Sequence, residues 1–199
     1  MPNPAAPDSL GSRYFDDVYR ANPDPWGFTT SPYETAKYAA TMEALPRPLY
    51  PAAFEAGCSI GVLTAQLAGR CGQLLSADIS ERALAAARER CAGRENVRFE
   101  QRTLPDEFPD GPFDLIVVSE VGYYLAMPDL LTFRERAVSR LAPDGHLLLV
   151  HWTPLVHDYP LTGDEVHETF LAAAAPGGPL THLAGRREEK YRLDLFARA

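Results

Sequence analysis

Short apolar runs alternate with amphipathic stretches along this chain, and the alternation predicts strand and helix in turn. Residues 51–56, 73–78, 96–102, 113–119 and 146–152 read as strands. The run Phe113-Asp114-Leu115-Ile116-Val117-Val118-Ser119 is apolar almost throughout, as a strand buried on both faces should be. Between the strands the spacing predicts helices over 32–45, 62 to about 69, 80–92 and 128–141. Ser31-Pro32-Tyr33-Glu34 carries a capping-box signal with proline at the first helical position, and Pro46 stops that helix. Ser80 is a candidate N-cap, and Glu81 in the first turn suits the helix dipole. Pro143-Asp144-Gly145 ends the helix before the fifth strand.

After residue 152 the pattern changes. Residues 153–161 form a loop with Pro154, His157, Asp158, Tyr159 and Pro160. Thr162-Gly163-Asp164-Glu165 is a second capping box, opening a helix to about 174. Residues 181–189 and 191–198 read as strands; Tyr191, Leu193, Leu195 and Ala197 alternate with polar neighbours. Two strands so close in sequence can pair only as an antiparallel hairpin. The expected fold is therefore α/β: a Rossmann-like seven-stranded sheet, mostly parallel, with a C-terminal antiparallel hairpin and helices on both faces. Residues 1–11, rich in proline and alanine, are expected to be a disordered tail. Residues 12–199 are expected to be a single domain. Within it, 12–30 mixes aromatics with acids and prolines, and the pattern assigns no element there.

The most informative stretch is Phe54-Glu55-Ala56-Gly57-Cys58-Ser59-Ile60-Gly61, a strand end, a glycine-bearing turn and a helix start. Glycine permits positive φ and close approach of a ligand to the backbone. The helix N-terminus beyond it offers free N–H groups. The dinucleotide fingerprint G-x-G-x-x-G would need glycine at 57, 59 and 62; the chain has Gly57, Ser59 and Val62. That argues against a nicotinamide dehydrogenase. The spacing acidic-x-G-x-small-x-G instead resembles the first motif of class I S-adenosylmethionine (AdoMet) methyltransferases. Asp78 ends the second strand about twenty residues beyond Gly57, where a carboxylate can accept hydrogen bonds from both ribose hydroxyls. Asp78-Ile79-Ser80 resembles the corresponding acidic, aliphatic, serine step; the alternative is that Asp78 only turns the chain into the next helix.

Composition narrows the partners. The net charge is −8, which argues against nucleic acid, whose phosphates need a basic face. Cys58, Cys71 and Cys91 form no C-x-x-C pair, so a reduced, cytoplasmic protein is expected, with Cys58 in its turn for its size and not as a nucleophile. No run of 18 apolar residues is present, and the first residues lack the features of a signal peptide; no membrane partner and no metal are expected.

Several segments together resemble a narrower group, the nodulation protein S family of AdoMet-dependent N-methyltransferases. They are Asp24-Pro25-Trp26-Gly27-Phe28, Tyr33-Glu34 with Lys37-Tyr38, and Glu55-Ala56-Gly57-Cys58-Ser59. Further on come Phe113 through Ser119, continuing as Glu120-Val121-Gly122-Tyr123-Tyr124, then His151-Trp152, and Asp158-Tyr159-Pro160-Leu161-Thr162-Gly163-Asp164. Family members methylate the free amine of a partly deacetylated chitooligosaccharide. The resemblance implies AdoMet as cofactor and a small-molecule or oligosaccharide acceptor. It implies that residues 12–46, Tyr33 among them, cap the cofactor, with Trp26 over the methionine part and Lys37 on the methionine carboxylate; the alternative is that Trp26 packs a helix onto the sheet and Lys37 faces solvent. It also implies cofactor contacts from Glu55, Gly57, Cys58, Ser59, Gly61, Asp78, Ile79, Thr103, Leu104 and Ser119. Thr103 departs from the acid many relatives carry there. A small-molecule O-methyltransferase and a catalytically silent AdoMet-binding module are the alternatives.

Transfer from a sulfonium needs nucleophile, methyl and sulfur in line, and an amine must attack in its neutral form. Glu120 and His151, each following a strand whose C-terminal end should face the methyl, are the catalytic candidates. Glu120 can hold or deprotonate the amine, or touch only the cofactor. His151 can act as base or steer a hydroxyl, or be a satisfied core histidine. Tyr123 and Tyr124 are candidates to line the acceptor site, because aromatic rings offer stacking area with a polar tip; the alternative is that they are plain packing residues. Trp152, His157, Asp158 and Tyr159, with Asp164 and His167, lie in or near the loop after the fifth strand and are the rest of the candidate acceptor wall.

Overall fold

The computed structural model describes residues 8–199. The first element, α1 (Ser12–Ala21), lies where the pattern assigned none. Its buried side chains are Phe15 and Tyr19, four apart and so on one face of a helix. Of the expected tail, 1–7 fall outside the described residues. The rest is not a free tail: the Leu10 N–H donates to the Tyr124 carbonyl at 2.9 Å, and Ser9 Oγ accepts the Ala126 N–H at 2.8 Å.

Then follow α2 (Pro32–Glu43), β1 (Tyr50–Ala56), α3 (Val62–Leu67), β2 (Cys71–Asp78), α4 (Glu81–Arg90), β3 (Val97–Gln101) and β4 (Phe113–Ser119). The chain continues as α5 (Met127–Arg140), β5 (Leu141–Trp152), α6 (Gly163–Ala173), β6 (Leu180–Arg187) and β7 (Tyr191–Arg198). The seven strands form one sheet in the order β3-β2-β1-β4-β5-β7-β6. Strands β1 to β5 are parallel; β7 runs antiparallel to β5 and to β6, as the short connection requires. Strand β5 starts earlier than expected. Leu141 pairs with Phe113 before Pro143-Asp144-Gly145, and a register break then brings His146 opposite Leu115.

The alternation along β4 explains its apolar run. Ile116 and Val118 join Phe54, Leu147, Phe133 of α5 and Phe170 of α6 on one face. Leu115 and Val117 join Leu148, Val150, Tyr38 of α2 and Leu67 of α3 on the other. Both faces are dry, so both parities of the strand must be apolar. Strand order reverses between β1 and β4, and in such sheets the crevice at that point, beyond the carboxyl ends, is where ligands bind.

Thr162 and Glu165 form the complete reciprocal box on α6. Ser31 accepts the Glu34 N–H at 3.3 Å, but the Glu34 carboxylate does not return to Ser31; it turns to Lys37. Ser80 occupies the N-cap position of α4 without capping it, and its hydroxyl donates to Asp16 of α1 at 3.1 Å. Among the described residues no helix is long and apolar enough to cross a membrane.

Candidate functional site

A cavity of about 430 Å³ opens beyond the carboxyl ends of β1, β2 and β4, with α1, α2 and the segment between them as its cover. Its wall contains most of the residues singled out from the sequence: Trp26, Tyr33, Lys37, Glu55, Gly57, Cys58, Ser59, Asp78, Ile79, Leu104 and Ser119. Glu120, Tyr123, Tyr124, Trp152 and Tyr159 line it as well. Four carboxyl groups, Glu34, Glu55, Asp78 and Glu120, and two cations, Lys37 and Arg102, lie in the wall, so carboxyl groups outnumber cations there.

The glycine turn is built for close contact. Gly57 sits at φ +69°, and a Cβ there would meet Val121 Cγ2 at 2.0 Å. Only glycine tolerates both the left-handed backbone and that approach. Ser59, also left-handed at φ 50°, is held from two sides. Its N–H donates to Asp78 Oδ2 at 2.8 Å, and its hydroxyl shares a 2.6 Å bond with Tyr19 Oη. Asp78 also accepts the Ser80 N–H on Oδ1 at 2.9 Å. Burial raises the Asp78 carboxyl to about 6 against these bonds. Each of its oxygens keeps a lone pair, so the group can still accept from a ligand.

Glu55 lies in the wall with its carboxylate engaged by the protein's own hydroxyls. It is buried, and its Oε2 accepts the hydroxyls of Thr64 on α3 and Ser76 on β2 at 2.6 and 2.7 Å. It therefore pins the helix after the turn to two strands. Burial pushes its carboxyl up to about 7, with the Asp78 charge adding to the shift. Gly61 is not in the cavity wall; at φ +78° it faces Ala87 of α4, which a Cβ would meet at 2.9 Å. Thr103 is not in the wall either; its N–H donates to Glu107, and Arg102 takes its place. Cys58 is buried and burial pushes its thiol well up, which suits a small wall residue and not a nucleophile.

Lys37 departs most from expectation. It is 2% exposed and lies between two carboxylates. Its Nζ donates to Glu34 Oε1 at 3.0 Å and to Glu120 Oε1 at 2.5 Å. Burial opposes its charge, but Glu120 and Glu34 outweigh burial and hold the ammonium above its ordinary range. A lysine spent on two carboxylates has little charge left for a third. Glu120 is further satisfied by the Tyr123 hydroxyl and by the Trp152 N–H at 2.9 Å, both on Oε2. It sits at φ 59°, a strained backbone for a residue with a Cβ, of the kind found at functional sites.

Glu34, expected from the sequence only as a capping and family-motif residue, is the less satisfied partner. Its Oε2 lies 3.0 Å from Lys37 Nζ but outside hydrogen-bonding geometry, and it is buried without a donor. Burial raises the Glu34 carboxyl by more than Lys37 lowers it. The Tyr33 hydroxyl beside it is also buried and unpartnered.

His151 is not in the wall. It is fully buried; its Nε2 accepts the Gly122 N–H at 3.1 Å and its Nδ1 faces His167 Nε2 at 3.1 Å. Burial, His167 and Lys37 drive its pKa well below the ordinary value. A neutral imidazole with both nitrogens engaged cannot take a proton from a cavity it does not reach. This corrects the catalytic reading of His151 in favour of the core alternative. His157 and Asp158 are exposed and outside the wall, so the acceptor side is narrower than expected. Phe15, Tyr19, Phe28, Tyr38, Val121 and Val156 also line the cavity, and periodicity gave no sign of them.

Comparisons with known proteins bear on the family and the fold. The sequence profile of the nodulation protein S family matches residues 17–152. Nodulation protein S of Sinorhizobium fredii is 32% identical over 127 residues, covering 63% of this chain and 59% of that protein. The Bradyrhizobium diazoefficiens protein is 33% identical over 127 residues, covering 63% of this chain and 61% of that protein. The chain thus spans about three fifths of the length of the curated relatives it matches. A solved structure from Pseudomonas syringae, assigned as a methyltransferase, is 40% identical with a TM-score of 0.73 and covers 83% of this chain and 99% of that one. The N-methyltransferase NodS of Bradyrhizobium japonicum WM9, in complex with S-adenosyl-L-homocysteine, has a TM-score of 0.83 at 24% identity, covering 95% and 99%. At that identity the second likeness is one of fold.

Proposed function

The chain belongs to the nodulation protein S family, and from that premise we propose that it is an AdoMet-dependent methyltransferase acting on the amine of a small-molecule or oligosaccharide acceptor, such as an amino sugar. The observation that carries the reading is the cavity at the strand-order reversal, whose wall holds more carboxyl groups than cations. A sulfonium and an ammonium are the charges such a wall favours. The residues present fit AdoMet. Asp78 would take the ribose hydroxyls with its remaining lone pairs, and Gly57 and Ser59 would let the ligand approach the backbone. Trp26, stacked on Phe28 at 5.5 Å, would face the sulfonium, to which an aromatic ring is attractive. Bound there, the cofactor supplies an electrophilic methyl on a positively charged sulfur.

The chain's own residues then hold the acceptor and receive its proton. Glu120 holds: its charge is shared with Lys37, and only Oε1 has capacity for one more donor. Taking a proton would cost Glu120 its bond to Lys37. Glu34 is the better proton acceptor, because its carboxyl is already raised by burial although both of its oxygens lie 3.0 Å from Lys37 Nζ. Tyr123 and Tyr159, stacked with ring centroids 5.0 Å apart, provide an aromatic wall for a sugar or alkyl body.

Isothermal titration with S-adenosylhomocysteine tests the cofactor, and binding is expected. Incubation with AdoMet and deacetylated chitooligosaccharides, followed by mass spectrometry, is expected to show the gain of one methyl on nitrogen. A methyl on oxygen would favour the O-methyltransferase alternative. Binding without turnover across an amine panel would favour the silent module, and no binding would overturn the proposal.

A further inference from the structure

Behind the acceptor wall lies a chain of buried polar groups that the proposed reaction does not use. It begins at Gly122, in the single helical turn Gly122–Tyr124 that follows β4. A backbone N–H can only donate, so His151 Nε2 must be the unprotonated nitrogen. The one proton of the neutral imidazole is then on Nδ1, directed at His167 Nε2. That nitrogen must accept, so the His167 proton is also on Nδ1, donated to Asp194 Oδ2 at 2.6 Å. Asp194, 2% exposed, ends the chain as an ionised acceptor. His182 Nε2 and Arg192 Nε meet it at 2.7 and 2.8 Å. Burial opposes its charge, but its partners outweigh burial and hold the carboxyl below its ordinary range. Every donor in the sequence has one acceptor, and reversing any link sets two donors against each other.

The relay starts at the turn that bears the acceptor side chains. Tyr123 packs edge-on to the His151 ring at 5.4 Å and donates its hydroxyl to Glu120. Gly122 is fitted closely to the relay: a Cβ there would lie 2.6 Å from Val166 Cγ1 and 3.1 Å from His151 Nε2. Histidines from β5 and α6 and a carboxylate from β7 thus converge on one backbone amide. We propose that Asp194, His167 and His151 act as a directional relay of positioning residues. It locks the Gly122–Tyr124 turn, and so aims Tyr123 and Glu120 at the acceptor. The aim toward an acceptor rests on the methyltransferase reading; the lock on the turn does not.

Long-range proton–nitrogen correlation spectra of the intact 15N-labelled protein test the relay directly. Both His151 and His167 are expected neutral at pH 7 with the proton on Nδ1, the minor tautomer of free histidine. An Nε2–H tautomer or an imidazolium at either residue overturns the proposal. Amide exchange tests the lock. In His167→Phe the ring stays but the acceptor for His151 is gone, and the Gly122 amide is expected to exchange at least tenfold faster. In His167→Gln, whose amide oxygen can replace the lost nitrogen, protection is expected to return. Affinity for S-adenosylhomocysteine is expected to be unchanged in both. Unchanged Gly122 exchange in His167→Phe, or an equal acceleration across β1 to β5, overturns the lock. A parent protein that binds no S-adenosylhomocysteine would instead remove the methyltransferase reading and leave the tautomers and exchange rates to be judged by themselves.

Discussion

Replacing Glu55 by glutamine is expected to make the unliganded protein more stable at alkaline pH. The Glu55 carboxyl is raised from 4.5 to about 7, chiefly by burial. A carboxyl raised on folding contributes stability that is fully present below its unfolded pKa and lost as pH rises through its folded pKa. For Glu55 the loss therefore runs from about pH 5 to about pH 8. At 1.36 kcal/mol per tenfold change in proton affinity, it reaches about 3 kcal/mol once the group is ionised. Glutamine mimics the protonated acid: one amide oxygen can accept both the Thr64 and the Ser76 hydroxyls that now share Oε2. Asp78 titrates in an overlapping window, raised to about 6, but it is present in both proteins. The difference between parent and Glu55→Gln therefore isolates Glu55. Urea denaturation from pH 5 to 8.5 should give coincident stabilities at the acid end and a variant more stable by up to about 3 kcal/mol at the alkaline end. In thermal melts that is roughly 6–12 °C for a domain of this size. A difference that stays flat across the range, or that favours the parent at pH 8, would refute the argument that the carboxylate is buried at a cost.

Lys37→Met leaves Glu34 and Glu120 facing each other without a cation. It is expected to cost about 3–5 kcal/mol, the range for breaking a buried ion pair by removing one partner. Adding Glu34→Gln should recover part of that, and coincident urea midpoints for Lys37→Met and the parent would refute the bridging role. Gly57→Ala combines a left-handed backbone with a Cβ 2.0 Å from Val121 Cγ2, and should weaken S-adenosylhomocysteine binding at least tenfold by calorimetry. Adding Val121→Ala should restore some affinity but not all, since φ +69° stays costly, roughly 1–2 kcal/mol; full binding by Gly57→Ala alone would place the ligand elsewhere. Asp78→Ala should weaken the same ligand by roughly 1–3 kcal/mol, the cost of losing hydrogen bonds to a charged acceptor, and equal affinity would remove Asp78 from the ribose role.

The order of elements was legible in the residues because it rests on local physics. Strand β4 is apolar at both parities since both of its faces are dry, and its expected bounds agree with Phe113–Ser119. The Thr162–Glu165 box is a contact over three residues, and it forms as the pattern requires. The turn at Gly57 and the carboxylate of Asp78 were legible because strand, turn and helix put them at the carboxyl edge of the sheet whatever the side chains do. What a side chain does at that edge depends on neighbours that only folding supplies. Lys37 meets Glu120 across 83 positions, and that contact turned an expected ligand group into a bridge. Glu34 carried a local capping signal, yet an ion pair in a dry wall outweighed a solvent-side hydrogen bond, so its carboxylate points the other way. Helix α1 was missed because its anchors, Ser59, Tyr124 and Ser80, lie far along the chain and its own periodicity is short. His151 was expected at the chemistry because a polar residue at a strand end so often is. Its partners, Gly122, His167 and Asp194, come from the turn after β4, α6 and β7, and only their convergence in a buried space decides which nitrogen carries the proton. Local sequence sets what each segment prefers to be; the low dielectric of the assembled core decides which charges must find each other.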